Sequence, residues 1–155
     1  MASDIFSRIL VPYDGSKYSN HALVKAIEIA KKDVSKIDII SVINLDYIRP
    51  PGGLLGMVSP SSIDAIKKIT ASAKKEASQM LATQVSKCRA KGIKADSKIL
   101  TGNITEAILK YAKQKKTTLI VLGSQGLHGI QRLKILGSTS RKVSELANCP
   151  VLIVR

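Results

Sequence analysis

The chain has 155 residues, 45% of them hydrophobic and 23% charged. That length supports one domain with its own core, and the composition excludes a disordered or low-complexity protein. With 25 Lys+Arg against 11 Asp+Glu the formal net charge is +14, so the surface attracts polyanions such as nucleic acid, acidic lipid or phosphorylated small molecules. Specific nucleic-acid recognition is not expected, because the lysines are spread over several segments and one Phe, four Tyr and no Trp leave little to stack on bases.

In chain order, Ser7 to Asp14 carries the apolar run Ile9-Leu10-Val11 and ends in Asp14-Gly15-Ser16, a strand running into a turn and a helix cap. Ala22, Leu23, Ala26, Ile27 and Ala30 then recur at helical spacing up to Lys31 and Lys32. Ile37, Ile39, Ile40, Val42 and Ile43 form a second strand pattern, too continuously apolar for a solvent-facing sheet. From Arg49 to about Pro60 the sequence is irregular, with Leu54, Leu55 and Met57 available to cover a ligand or a partner.

Ser61 and Asp64 resemble a capping box. Ile66, Ile69, Ala73, Ala77, Met80, Leu81 and Cys88 continue as a long amphipathic helix ending near Gly92. Ile93 to Leu100 alternates apolar residues with Lys94, Asp96 and Lys98, as an edge strand with one wet face does. Asn103 caps a helix striped by Ile104, Ala107, Ile108 and Ala112. Thr118 to Leu122 is the most hydrophobic strand and is expected at the centre of the sheet. A glycine-rich segment, a short helix bearing Val143, Leu146 and Ala147, and the strand Pro150–Val154 close the chain.

Strict alternation of strand and helix predicts an α/β fold: one domain, a parallel five-stranded open sheet of Rossmann-like type, with helices on both faces. Ligands of such sheets sit beyond the carboxyl ends of the strands, where strand order reverses. This draws attention to the loops after Asp14, Val42, Leu100 and Leu122. Gly123-Ser124-Gln125-Gly126 follows the fourth strand, and after ten intervening residues Gly126 is followed by Gly137 with Ser138-Thr139-Ser140. Glycines let a backbone approach phosphate oxygens, free N–H groups at a helix start donate to them, and Arg132 and Lys134 can screen their charge. The same glycines also suit tight turns, and neither a Walker loop nor a dinucleotide fingerprint is present. Asp14, ending a strand, serves either as a turn acceptor for Ser16 or as a contact to a nucleotide or its Mg²⁺.

Neither His21 nor His128 assembles with a serine and an aspartate into a catalytic triad. No base stands ready to orient a water, so any hydrolysis of a bound phosphate ester should be weak. Cys88 and Cys149 share no metal or redox spacing and are expected to pack as small apolar residues. The first six residues lack a signal-peptide pattern and the longest apolar runs are too short for a bilayer, so a soluble, cytoplasmic protein is expected.

Val11-Pro12-Tyr13-Asp14-Gly15-Ser16, Gly123-Ser124-Gln125-Gly126, Gly137-Ser138 and Cys149-Pro150-Val151-Leu152-Ile153-Val154 together resemble the universal stress protein family. The resemblance covers essentially all of residues 1–155, as one domain of that type. It implies a five-stranded parallel sheet, a homodimer paired through the last strand, and ATP or AMP as ligand, with or without Mg²⁺. Gly126, Gly137, Ser138 and Thr139 would neighbour phosphate and ribose, with Gly123 at the head of the loop. Asp14 and Val42, with Pro12 nearby, would lie by the adenosine. Two departures stand out: the ATP-binding branch carries Gly-x2-Gly-x9-Gly-Ser/Thr, one residue shorter than the gap here, and Gln125 occupies a position where many members have histidine. The expected role is a nucleotide-responsive stress regulator whose change of state involves the loop Leu54 to Pro60. The alternatives are a binding module for proteins or polyanions and a slow ATPase.

Overall fold

The computed structural model describes residues 5–45, 59–127 and 135–155. Nine elements alternate: β1 (Arg8–Pro12), α1 (Lys17–Asp33), β2 (Lys36–Ile43), α2 (Pro60–Ala90), β3 (Ala95–Thr101), α3 (Ile104–Gln114), β4 (Leu119–Gly123), α4 (Ser138–Leu146) and β5 (Val151–Val154). All the strand pairs are parallel, in the order β3-β2-β1-β4-β5. The expected architecture is what forms: one α/β domain around a five-stranded parallel sheet.

Side-chain alternation along the strands sorts the core into two layers. Ile9, Val11, Ile37, Ile39, Leu119 and Val121 point to the face covered by α1 and α2, where they meet Ala22, Ala26, Leu81 and Val85. Leu10, Ile40, Ile120 and Leu122 point to the other face, against Ile108 and Tyr111 of α3 and Val143 of α4. Near-continuous apolar strands are therefore required, because both faces of the inner strands are dry. Cys88 is fully buried in the first layer and Cys149 packs at the margin of the second; both thiols are free.

Several expectations change in detail. β1 occupies the middle of the sheet and β4 stands one place from it, since apolarity reports burial on two faces but not position. β3 is an edge strand, as its alternation predicts, and starts at Ala95, after a turn in which Gly92 takes φ +77°. α2 begins earlier than Ser61: Ser59 is the cap, accepting from the Ser62 N–H, and Pro60 takes the first helical position, where its missing N–H costs nothing. Leu146, expected on the apolar side of α4, is 60% exposed. Asn103 caps α3 by accepting from the Glu106 N–H at 3.1 Å, as expected.

Candidate functional site at the switch point

The chain runs outward from β1 through β2 to β3, then returns to place β4 on the other side of β1. The strand order reverses between β1 and β4, the point where sheets of this kind form a crevice at the carboxyl ends of the strands. Two loops meet there, and one carboxylate joins them. Asp14 Oδ1 accepts from the Ser16 N–H at 2.9 Å within its own turn, and Oδ2 accepts from the Leu127 N–H at 3.1 Å across the crevice. Asp14 is thus a turn acceptor and also a tie between the β1 and β4 loops. Both oxygens are engaged by backbone.

The β4 loop is fastened to α4 by bonds that sequence reasoning did not find. Ser140 Oγ donates to the carbonyls of Gly123 and Ser124, at 2.9 and 3.1 Å, and the Gly137 N–H donates to Ser124 O at 2.8 Å. Gln125 Nε2 donates to Ile135 O at 2.9 Å, joining the two ends of the long gap. The signal for Ser140 was its place one turn into the helix. A buried serine there needs an acceptor, and the nearest carbonyls belong to the preceding strand's end.

Each glycine has a distinct spatial reason. A Cβ on Gly123 would fall 2.6 Å from the backbone carbonyl carbon of Tyr18, so this position is glycine because α1 lies against β4 there. A Cβ on Gly126 would come 3.0 Å from Asp14 Oδ2, and one on Gly137 would come 3.3 Å from Ser124 O. These two keep the backbone bare at the mouth of the crevice. Ser138 and Thr139 form the first turn of α4, exposed and half-buried respectively.

The start of α4 differs from the other helix starts. Side chains of Ser16, Ser59 and Asn103 cap α1, α2 and α3, but Gly137 supplies no side-chain bond to α4. The first N–H groups of α4 therefore point out of the helix without a cap, beside the Asp14–Leu127 tie, at its positive dipole end. Pro12, the last residue of β1, and Val42, next to last in β2, lie at this same end of the sheet, both half-buried. The expected site residues are thus gathered at one end of the sheet. His128, Arg132 and Lys134 lie outside the described residues, as do Leu54, Leu55 and Met57 of the long loop. His21 is on α1, with Nδ1 3.1 Å from the Arg155 carbonyl and its ring edge-on to Tyr18, away from any triad.

Residues 6–155 match the model of the universal stress protein family, and the chain belongs to that family. It is 36% identical over 151 residues to universal stress protein YxiE of Bacillus subtilis, an alignment covering 97% of this chain and all of that one. Its fold superposes on universal stress protein UspA from Lactobacillus plantarum with a TM-score of 0.82 at 23% identity, covering 97% of this chain and 98% of the other. The universal stress protein from Archaeoglobus fulgidus in complex with dAMP superposes with a TM-score of 0.62 at 25% identity, covering 97% and 99%.

Proposed function

We propose that this protein is a nucleotide-responsive stress regulator that binds ATP or AMP in the crevice between the carboxyl ends of β1 and β4. The observation that carries the reading is the uncapped start of α4, held by Ser140 and Gly137 against the β4 loop. Free N–H donors at a helix's positive end, with bare glycine backbone on the approach, suit a phosphate group. The Gln125–Ile135 bond supports a working cradle despite the extra residue, because it closes the base of the longer loop. The complex of the Archaeoglobus fulgidus relative with dAMP supports an adenine nucleotide as the ligand class.

Asp14 spends both carboxylate oxygens on backbone N–H groups, and among the described residues no group of three or more His, Cys, Asp or Glu could hold a metal. A Mg²⁺ entering with ATP would therefore lean on the phosphate oxygens, with Asp14 as the protein carboxylate at hand. The same engagement leaves Asp14 poorly placed to activate a water, which favours a binding protein over an efficient ATPase.

Among the described residues no helix is long and apolar enough to cross a membrane. As the setting of a nucleotide-responsive regulator we propose the cytoplasm. β5, the second edge of the sheet, exposes Leu152 at 36% and is the strand through which a homodimer would form.

The test is calorimetric titration of nucleotide-stripped protein with Mg-ATP and with AMP at moderate salt. The expected result is saturable binding near one nucleotide per chain. Gly137→Val, whose side chain would crowd Ser124 O and cover the α4 N–H groups, should weaken it at least about tenfold. Absence of heat at several temperatures, or equal affinity in the variant, refutes the reading.

A further inference from the structure

A second charged site lies at the opposite end of the sheet, on the α3 face beside the β3 edge. Its construction follows from register. Leu10 and Ile40 belong to the α3-side core, and β1, β2 and β3 pair Leu10 with Asp38, Asp38 with Asp96, and Ile40 with Lys98. Asp38, Asp96 and Lys98 therefore share that face, as do Arg8 and Lys36, paired with each other at the strand starts. α3 leaves this corner open. What remains is a cleft of about 800 Å³ that wraps around the β3 edge between α3 and the Ala82–Arg89 stretch of α2, within the usual range for small-molecule sites and lined by five cations and two carboxylates.

The charges are not all committed. Lys36 and Arg89 pair with Asp96, and Arg8 Nη1 donates to the Lys115 carbonyl at 2.7 Å. Lys98 and the Lys115 ammonium have no ion-pair partner among the described residues; Lys115 only hovers 5.8 Å over the Tyr111 ring. At the floor sits Asp38, its side chain only 4% exposed, with Arg8 and Lys36 each 3.8 Å away, and with no hydrogen bond to Oδ2 among the described residues. A buried carboxylate oxygen without a hydrogen bond is costly and marks a place where a donor is wanted. The Tyr111 hydroxyl likewise has no partner among the described residues. Burial, then the Asp38 charge, raise the Tyr111 phenol above its ordinary pKa, so it remains a protonated donor.

We propose that this cleft binds a small phosphorylated molecule that also carries hydroxyl groups, a sugar phosphate in class. Its phosphate is held by Lys98 and Lys115, and its hydroxyls meet Asp38 and Tyr111. The site is separate from the nucleotide crevice and does not depend on it. A hydroxyl-free anion would satisfy the lysines and leave the carboxylate unmet. A long single strand would find none of the stacking aromatics it needs, since Tyr111 is buried with the Lys115 ammonium over its ring.

The test is an amide ¹H–¹⁵N titration of the whole protein with inorganic phosphate and with glucose 6-phosphate, ionic strength held constant with sodium chloride. Saturable shifts are expected at Lys36, Asp96, Lys98 and Lys115, with the sugar phosphate bound about tenfold tighter than phosphate. The double variant Lys98→Gln/Lys115→Gln changes only exposed side chains, so it should fold normally and lose about tenfold or more for both probes. Tyr111→Phe should erase much of the sugar phosphate's advantage and leave phosphate binding in place. Shifts confined to the loops after β1 and β4, affinities unchanged in the double variant, or a single-stranded RNA bound more tightly than the sugar phosphate at equal salt would each overturn the proposal.

Discussion

Gly123→Ala separates a packing glycine from a ligand glycine. The new Cβ would sit 2.6 Å from the Tyr18 carbonyl carbon, 2.7 Å from its Cβ and 2.8 Å from its oxygen. Non-bonded carbons rest about 3.5 Å or more apart, so α1 and β4 must separate by roughly 1 Å. All three Tyr18 atoms are backbone or Cβ, so no rotamer change relieves the clash. The separation would loosen Ala22 and Ala26 from Leu119 and Val121, which share one fully packed layer. Overpacking typically costs about 1–3 kcal/mol, and this geometry belongs at the upper end. For a chain of this size about 3 kcal/mol lowers Tm by roughly 6–12 °C. Thermal melts followed by circular dichroism, with urea unfolding to check that the m-value is unchanged, measure it. Gly137→Ala is the comparison: its φ of −62° suits any residue, and its nearest contact, 3.3 Å to Ser124 O, needs a shift of only a few tenths of an ångström, so its Tm should fall less than half as far as that of Gly123→Ala. Gly123→Ala melting as close to the parent as Gly137→Ala does would refute the packing argument and return Gly123 to the phosphate cradle.

Asn103→Ala removes the acceptor for the Glu106 N–H and should cost about 1 kcal/mol, a fall in Tm of roughly 2–4 °C, read in the same melts. For the homodimer, sedimentation at micromolar concentration should show a dimer that Leu152→Lys converts to monomer; a parent that is only monomeric removes the proposal.

How much the sequence discloses depends on how local each cause is. Alternation of strand and helix, the wet-and-dry alternation that marks β3 as an edge, and the Asn103 cap each arise within a few residues, and each is readable. The central place of β1 is not, because it results from the chain returning past its own start. Gly123 carries a second lesson. In sequence it belongs to the same set as Gly126 and Gly137, yet its lack of a side chain is required by a helix about a hundred residues earlier. Ser140 and Tyr111 were missed for a similar reason: one needs carbonyls supplied by β4, the other gains its surroundings from three strands in register.

A parallel sheet also makes its two ends chemically unlike, and this bears on where the excess of basic residues can act. Helix starts gather at the carboxyl ends of the strands, and helix finishes at the other end, where partial negative charge collects. Arg89 and Lys115, at the finishes of α2 and α3, complement those dipoles and so need no ligand to explain them. Lys98 is different. It stands mid-strand on the face it shares with Asp38, no helix end lies in its own element, and no carboxylate among the described residues pairs with it. At the crevice end the proposed attraction for anions would come instead from backbone N–H groups at α4, which titrate at no accessible pH. Nucleotide and sugar phosphate would thus be drawn to opposite ends by different means, one by dipoles fixed in the fold and the other by side-chain charge. Added salt should therefore weaken binding at the Lys98 cleft more steeply than binding at the crevice, because the ammonium groups are exposed and the α4 donors are fixed in place.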